Sequence, residues 1–247
     1  MATWMRMAFW LCAALATPAA MGAAPDPIRV ATSHLPPYSM ETANGPPGAL
    51  YELVTEMLHR TGLPAKIEFV PWQRAIHLST SQTRSAIFPL TRSPEREYQY
   101  RWLARLYHEH FLFLSLKGGK FDVRQPALGK ERRIGILRGS LIGKTLREAG
   151  YRHIVEASSV DESLRFLRRG IVDAVCGERN IFLKAHQGSA ASAYRMSEPL
   201  RTTTTWLGGS LDFSEADAAL FQKAMKDMIE DGSYDQILKK YSLDRGP

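Results

Sequence analysis

Short β-rich runs alternate with segments of helical period along this chain, and that order restricts its fold more than any other feature. Ile28–Thr32 is β-rich. Leu50, Leu53, Val54, Met57 and Leu58 then repeat at helical spacing until Gly62 and Pro64 stop the pattern. Residues 66–70 alternate as a strand, Pro71 opens a short helix carrying Trp72, Ala75, Ile76 and Leu78, and 85–90 is a buried strand. A second unit follows Gly118 and Gly119. It has a strand at Arg133–Leu137, a helix ending at Gly150, a short strand at Ile154 and Val155, a helix that opens on a Ser159-to-Glu162 capping box and closes at Gly170, a strand at 171–176 and a helix from Arg179. Strand, helix, strand in this order predicts parallel α/β sheets, here in two units. Thr202–Thr205 favours extended backbone as a connecting strand, and two amphipathic helices close the chain.

Residues 1–24 read as a secretory signal peptide. Arg6 is the only charge, an apolar run spans 7–16, and small residues crowd 19–24. The apolar run is too short to cross a bilayer of ~30 Å, and no later segment approaches that length. The mature chain is therefore expected to be soluble in an exported, periplasmic compartment. Cys12 leaves with the signal, so Cys176 stays alone in an apolar strand as a buried, inert thiol.

The net charge of +7 comes from scattered basic residues without zinc spacing or an RNA-binding aromatic motif. No nucleic-acid partner is expected, and the positive field favours small anions. His108, Glu109 and His110 have metal-ligating chemistry, but they fall in an extended crossover without a further Cys/His cluster, so no metal and no cofactor are assigned.

The run Thr91-Arg92-Ser93-Pro94-Glu95-Arg96 follows the 85–90 strand. Ser93 is an N-cap residue and Pro94 suits the first helical position, which places Arg96 beside free backbone amides. A guanidinium next to such amides is a carboxylate receptor; the alternative is an ion pair with Glu95 or Glu97. Ser140, between Gly139 and a helix, can receive an anion or simply cap the helix. Glu178 stands at the carboxyl end of a strand, where open α/β sheets bind ligands; the alternative is an exposed acid paired with Arg179 or Lys184. Trp72 and Tyr38 can wall a pocket or pack in the core. His34 and Arg74 are further possible contacts.

An ordered set of motifs resembles a known family. It comprises the Pro36-Pro37-Tyr38 loop, Gly48 before a helix, the Thr91…Arg96 run, Gly139-Ser140, Asp173-Ala174-Val175 and the closing 231–237 segment. Together with the signal segment they resemble bacterial solute-binding family 3, the periplasmic binding proteins of polar amino-acid ABC importers, in a divergent branch with a Pro-Trp-x-Arg-Ala run. The resemblance implies a two-lobed, type II-like α/β fold with a cleft and two crossover strands: lobe one at 25–109 and 204–247, lobe two at 110–203. It implies that Arg96 grips a ligand carboxylate, that Thr91 contacts the ligand's amino or carboxylate group, that Ser140 completes the carboxylate cradle from lobe two, that Trp72 is an aromatic wall, and that Glu178 receives an ammonium where the family often has aspartate. The expected partners are a small carboxylate-bearing ligand and an ABC permease, with the protein a monomer. Two other roles stand beside this: a periplasmic cyclohexadienyl-dehydratase-like enzyme with Glu178 as general acid, and a soluble sensor component.

Overall fold

The computed structural model describes residues 26–186 and 192–245; the signal-peptide expectation lies outside them. The elements are strand β1 (Ile28–Thr32), helix α1 (Ala49–Thr61), β2 (Ala65–Phe69), α2 (Trp72–Ser81), β3 (Ser85–Thr91), β4 (Arg101–Leu116), β5 (Arg133–Leu137), α3 (Ile142–Glu148), β6 (His153–Ala157), α4 (Val160–Arg168), β7 (Ala174–Glu178), α5 (Arg179–Ala185), β8 (Tyr194–Met196), β9 (Arg201–Gly209), α6 (Glu215–Glu230) and α7 (Ser233–Lys240).

Strand order is β2-β1-β3-β9-β4-β7-β5-β6, with β8 alongside β4. β1 pairs in parallel with β2 and β3, and β5 pairs in parallel with β6 and β7. These are the two α/β units expected from the alternation. The antiparallel strands β4 and β9 join them. β4 pairs with β9 from Arg101 to Phe111 and with β7 from Phe111 to Leu114, so it runs out of one unit and into the other.

Each unit has apolar layers on both faces of its sheet. In the first, Leu50, Leu53, Val54 and Met57 of α1 meet Phe221, Met225 and Met228 of α6 over Ile28, Val30 and Phe88. Trp72 and Ala75 of α2 cover the opposite face with Ile87 and Leu90. The helical spacing in the sequence maps directly onto these contacts. In the second unit, Ile142 and Leu146 of α3 pack with Ile134, Ile136 and Phe113, and Leu164 and Leu167 of α4 pack with Leu112, Leu114 and Val175.

Local chemistry ends the elements where it should. Gly62 closes α1 with φ +68°, a left-handed conformation that glycine adopts without strain. Ser214 and Asp217 form a reciprocal capping box on α6. Ser159 caps α4 through the Glu162 amide, while the Glu162 carboxylate reaches back to the amide of Ser158 rather than of Ser159.

One expectation fails. Residues 94–96 form a single 3₁₀ turn, not the start of an α-helix, and Ser93 makes no side-chain cap. The amide of Arg96 is spent on the Ser93 carbonyl. A cap signal specifies a chain reversal but not how far the helix continues, and here the chain enters β4 within five residues. Arg96 is therefore not flanked by the free amides of a helix start.

Candidate functional site

Thr91, Leu137 and Glu178 are the last residues of β3, β5 and β7. The carboxyl ends of both parallel sheets thus converge, the usual position of a ligand crevice in open α/β folds. A cavity lies there, with about 70 Å³ open to the centre of a water-sized sphere, enough for a few waters or one small molecule. Tyr38, Trp72, Thr91, Arg96, Ser140 and Glu178 all line it. His34 lies outside, along a neighbouring groove with Glu41 and Ser159.

Arg96 is only 8% exposed. Its Nη1 donates to the Thr91 carbonyl and its Nη2 to the Gly139 carbonyl, both at 3.1 Å. The second bond crosses between the units. The two acids that might have neutralised it are engaged elsewhere: Glu95 pairs with Lys144, and Glu97 takes Arg92 in a two-pronged contact. Arg92 itself lies against both Trp102 and Trp206, which pack edge to face. Among the described residues Arg96 makes no ion pair. Burial draws its guanidinium below the ordinary value, against the pull of Tyr100, Glu109 and Glu95; a guanidinium remains charged at neutral pH. It therefore stands as a buried cation with N–H groups to spare.

Gly139 brings the second unit onto this cation. Its φ of +80° is left-handed, and a Cβ there would lie 2.7 Å from Gln73 Oε1 and 2.9 Å from Ile76 Cδ1 on α2. Ser140 follows directly. Its amide donates to Leu137, and its hydroxyl accepts only a long bond of 3.4 Å from the Ile142 amide, so it is a weak cap. That leaves the hydroxyl available to the cavity.

Glu178 is 4% exposed rather than a surface acid. It caps α5: Oε2 accepts from the amides of Asn180 at 2.6 Å and Ile181 at 3.1 Å, and Oε1 from that of His110 at 3.4 Å. Desolvation pushes its carboxyl up to about 7, with these amides and the Tyr38 hydroxyl opposing the rise. Asn180 Nδ2 donates to Tyr38 Oη at 3.0 Å and to Tyr107 Oη at 3.3 Å, so Tyr38 is both a cavity wall and a tie between the units. Trp72 opens α2 and is buried against Ile87 and Leu90 while lining the cavity, which joins the two roles that its sequence position left open. Cys176 also lines the cavity, and burial pushes its thiol up.

Sequence reading missed Glu109. It lines the cavity from β4, is 4% exposed, and accepts from the Thr91 hydroxyl at 2.9 Å. Burial first, and Glu178 second, hold its carboxyl up at about 8. A signal for it existed. In 107–111 the residues Tyr107, Glu109 and Phe111 share one side of the strand and are buried, whereas His108 and His110 are less so. An acid in phase with two aromatics belongs on the inner face.

The model of the bacterial extracellular solute-binding proteins, family 3, matches residues 28–244. No curated protein matches the chain. Among solved structures, an ancestral arginine-binding protein bound to arginine superposes with a TM-score of 0.77 at 19% identity, covering 89% of this chain and 99% of that one. The arginine-, lysine-, histidine-binding protein ArtJ from Geobacillus stearothermophilus gives 0.77 at 17%, over 87% and 94%. A histidine kinase sensor domain with similarity to periplasmic binding proteins gives 0.79 at 16%, over 87% and 96%. At these identities the likeness speaks for the two-lobed fold alone. The family match covers nearly all the described residues, and on it the chain belongs to the bacterial extracellular solute-binding proteins, family 3.

Proposed function

We propose that this protein captures an amino-acid-like molecule bearing a carboxylate between its two lobes, without chemical conversion, and delivers it to an ABC importer in the periplasm. One observation carries the reading: Arg96 is a buried cation with no ion-pair partner among the described residues, and it lines an interlobe cavity. Burying an unpaired charge is costly, and a ligand carboxylate would relieve it. Ser140 would add a donor from the second lobe. Because Arg96 also donates to Gly139, filling the site and closing the lobes are coupled through one side chain.

The lobes are taken to divide at 25–109 with 204–247 and at 110–203, with β4 and β9 as the hinge and the protein acting as a monomer. No helix of the described residues is long and apolar enough to cross a membrane, which suits an exported carrier. Structural neighbours include proteins that bind arginine, lysine, histidine, glutamine or glutamate, and that range of polar amino acids is the first class to try. The test is a thermal-shift screen of the common L-amino acids and small carboxylates against wild type and Arg96→Met. A ligand at a hundred times its Kd stabilises by about 2.7 kcal/mol. Stabilisation by an amino acid that Arg96→Met abolishes supports the reading; a flat screen overturns it.

A second reading rests on Glu178 and Glu109, whose raised carboxyls can hold a proton near neutral pH. Incubation with prephenate or arogenate, followed optically, reveals a dehydratase if product forms.

A further inference from the structure

Glu109, a carboxyl group of the cavity wall, has no task in the binding function proposed above. It is almost fully buried, and its single hydrogen bond among the described residues comes from the Thr91 hydroxyl. A buried carboxylate is ordinarily matched by a cation or by several donors. Glu109 has neither: Arg96, the guanidinium lining the cavity, is turned to two carbonyls. The charged or titratable groups facing Glu109 from neighbouring elements are Tyr38 of the first loop, Arg96 of the 3₁₀ turn and Glu178 of β7. Glu178 is differently placed. Its oxygens are already taken up by the amides that begin α5 and by His110. Of the two acids, Glu109 has the acceptor capacity left over.

Thr91 sets the spacing. Its carbonyl accepts from Arg96 Nη1, and its hydroxyl donates to Glu109 Oε2. One residue therefore holds a guanidinium and a carboxyl group side by side at the cavity wall, and an arriving ammonium would favour the ionised form of that carboxyl. In an α-amino acid the carboxylate and the ammonium sit on the same carbon, and an adjacent cation–anion pair is the receptor that such a zwitterion fits. We propose that Glu109, contributed by the crossover strand, receives the α-ammonium of the ligand while Arg96 takes its carboxylate, and that Glu178 serves mainly to cap α5 and to border the ligand's side chain. The site then selects α-amino acids over other carboxylates. Because Glu109 lies on β4 close to where that strand changes partners from β9 to β7, the ammonium contact is made by the hinge itself. This inference rests on the carboxylate reading of Arg96.

The test uses the L-amino acid that stabilises wild type most and its α-deaminated analogue, the same acid with hydrogen in place of ammonium. Calorimetry measures both on wild type, Glu109→Gln, Glu109→Asp and Arg96→Met. The expected result is that wild type prefers the amino acid by tenfold or more, that Glu109→Gln brings the preference close to unity, and that Glu109→Asp retains part of it. An unchanged preference in Glu109→Gln overturns the inference, as does an equal loss of affinity for both probes, which marks a merely structural role. Binding that Arg96→Met leaves intact overturns the carboxylate reading instead, and the amino-to-deamino ratio still decides the role of Glu109. If no amino acid binds wild type, both fall.

Discussion

Replacing Arg96 with alanine removes the cation on which the proposed site depends. The guanidinium has five N–H donors, and two are spent on the carbonyls of Thr91 and Gly139. The rest suffice for a two-pronged grip on a carboxylate. Two charge-assisted bonds at about 1.5–3 kcal/mol each set the gross loss. Water entering the vacated space returns part of it, so a net loss of about 2–5 kcal/mol is expected, or roughly 30-fold to several thousand-fold in Kd. Loss of the Gly139 bond also removes a direct link between the lobes, which adds to the effect through the closure equilibrium. Isothermal titration with the best-binding amino acid near neutral pH gives the number. Arg96→Lys keeps the charge but not the fork, and should fall between wild type and alanine. An affinity within about threefold of wild type for Arg96→Ala would refute the reasoning, since that is under 1 kcal/mol.

Further expectations follow from single features of the structure. The carboxyls of Glu109 and Glu178 lie above their ordinary value, at about 8 and about 7. The folded state thus holds protons that the unfolded state releases near pH 4.5, so the contribution of these two groups to ligand-free stability is greatest below that pH and falls as pH rises through about 7 and about 8, by up to about 1.4 kcal/mol per pH unit for each group. The depressed carboxyls of Glu95, Asp122 and Asp231 act in the opposite sense only in more acid solution. Denaturation midpoints across this range should slope downward, and Glu109→Gln should flatten the slope; a rising profile would contradict the burial argument. Gly139→Ala forces a left-handed alanine at a cost of about 1–2 kcal/mol and crowds Gln73 and Ile76. Calorimetry should show about tenfold weaker binding, and no change would mean that the two lobes do not need this approach. Ser214→Ala breaks the capping box of α6, and urea unfolding should report a loss of about 1 kcal/mol with ligand affinity unchanged.

Much of the scaffold is readable in the sequence because it depends on local chemistry. The spacing of Leu50, Leu53, Val54 and Met57 reports a helix with one buried face, and that face is the one α6 covers. Arg96, Ser140 and Glu178 were legible because strand ends and helix starts carry characteristic residues, and the topology gathers those ends at one place. What was hidden depended on long-range partners. The Ser93 and Pro94 cap signals could not distinguish one turn from a helix, because what stops the helix is the entry into β4. The position of Glu178 in the sequence suggests a ligand contact, and its capping of Asn180 and Ile181 depends on how abruptly β7 gives way to α5. In the sequence Glu109 stands in a stretch that looks like a plain connector. Its phase with Tyr107 and Phe111 points inward, but only the folded chain shows that inward there means the cavity shared by both lobes.

The most direct trial of the account is a crystal structure of the protein with the amino acid that stabilises it most. Electron density for that molecule should fill the space among Tyr38, Trp72, Ser140 and Glu178, its carboxylate within about 3 Å of an Arg96 nitrogen. A bound amino acid lodged elsewhere, or one seated there with its carboxylate turned away from Arg96, would contradict it.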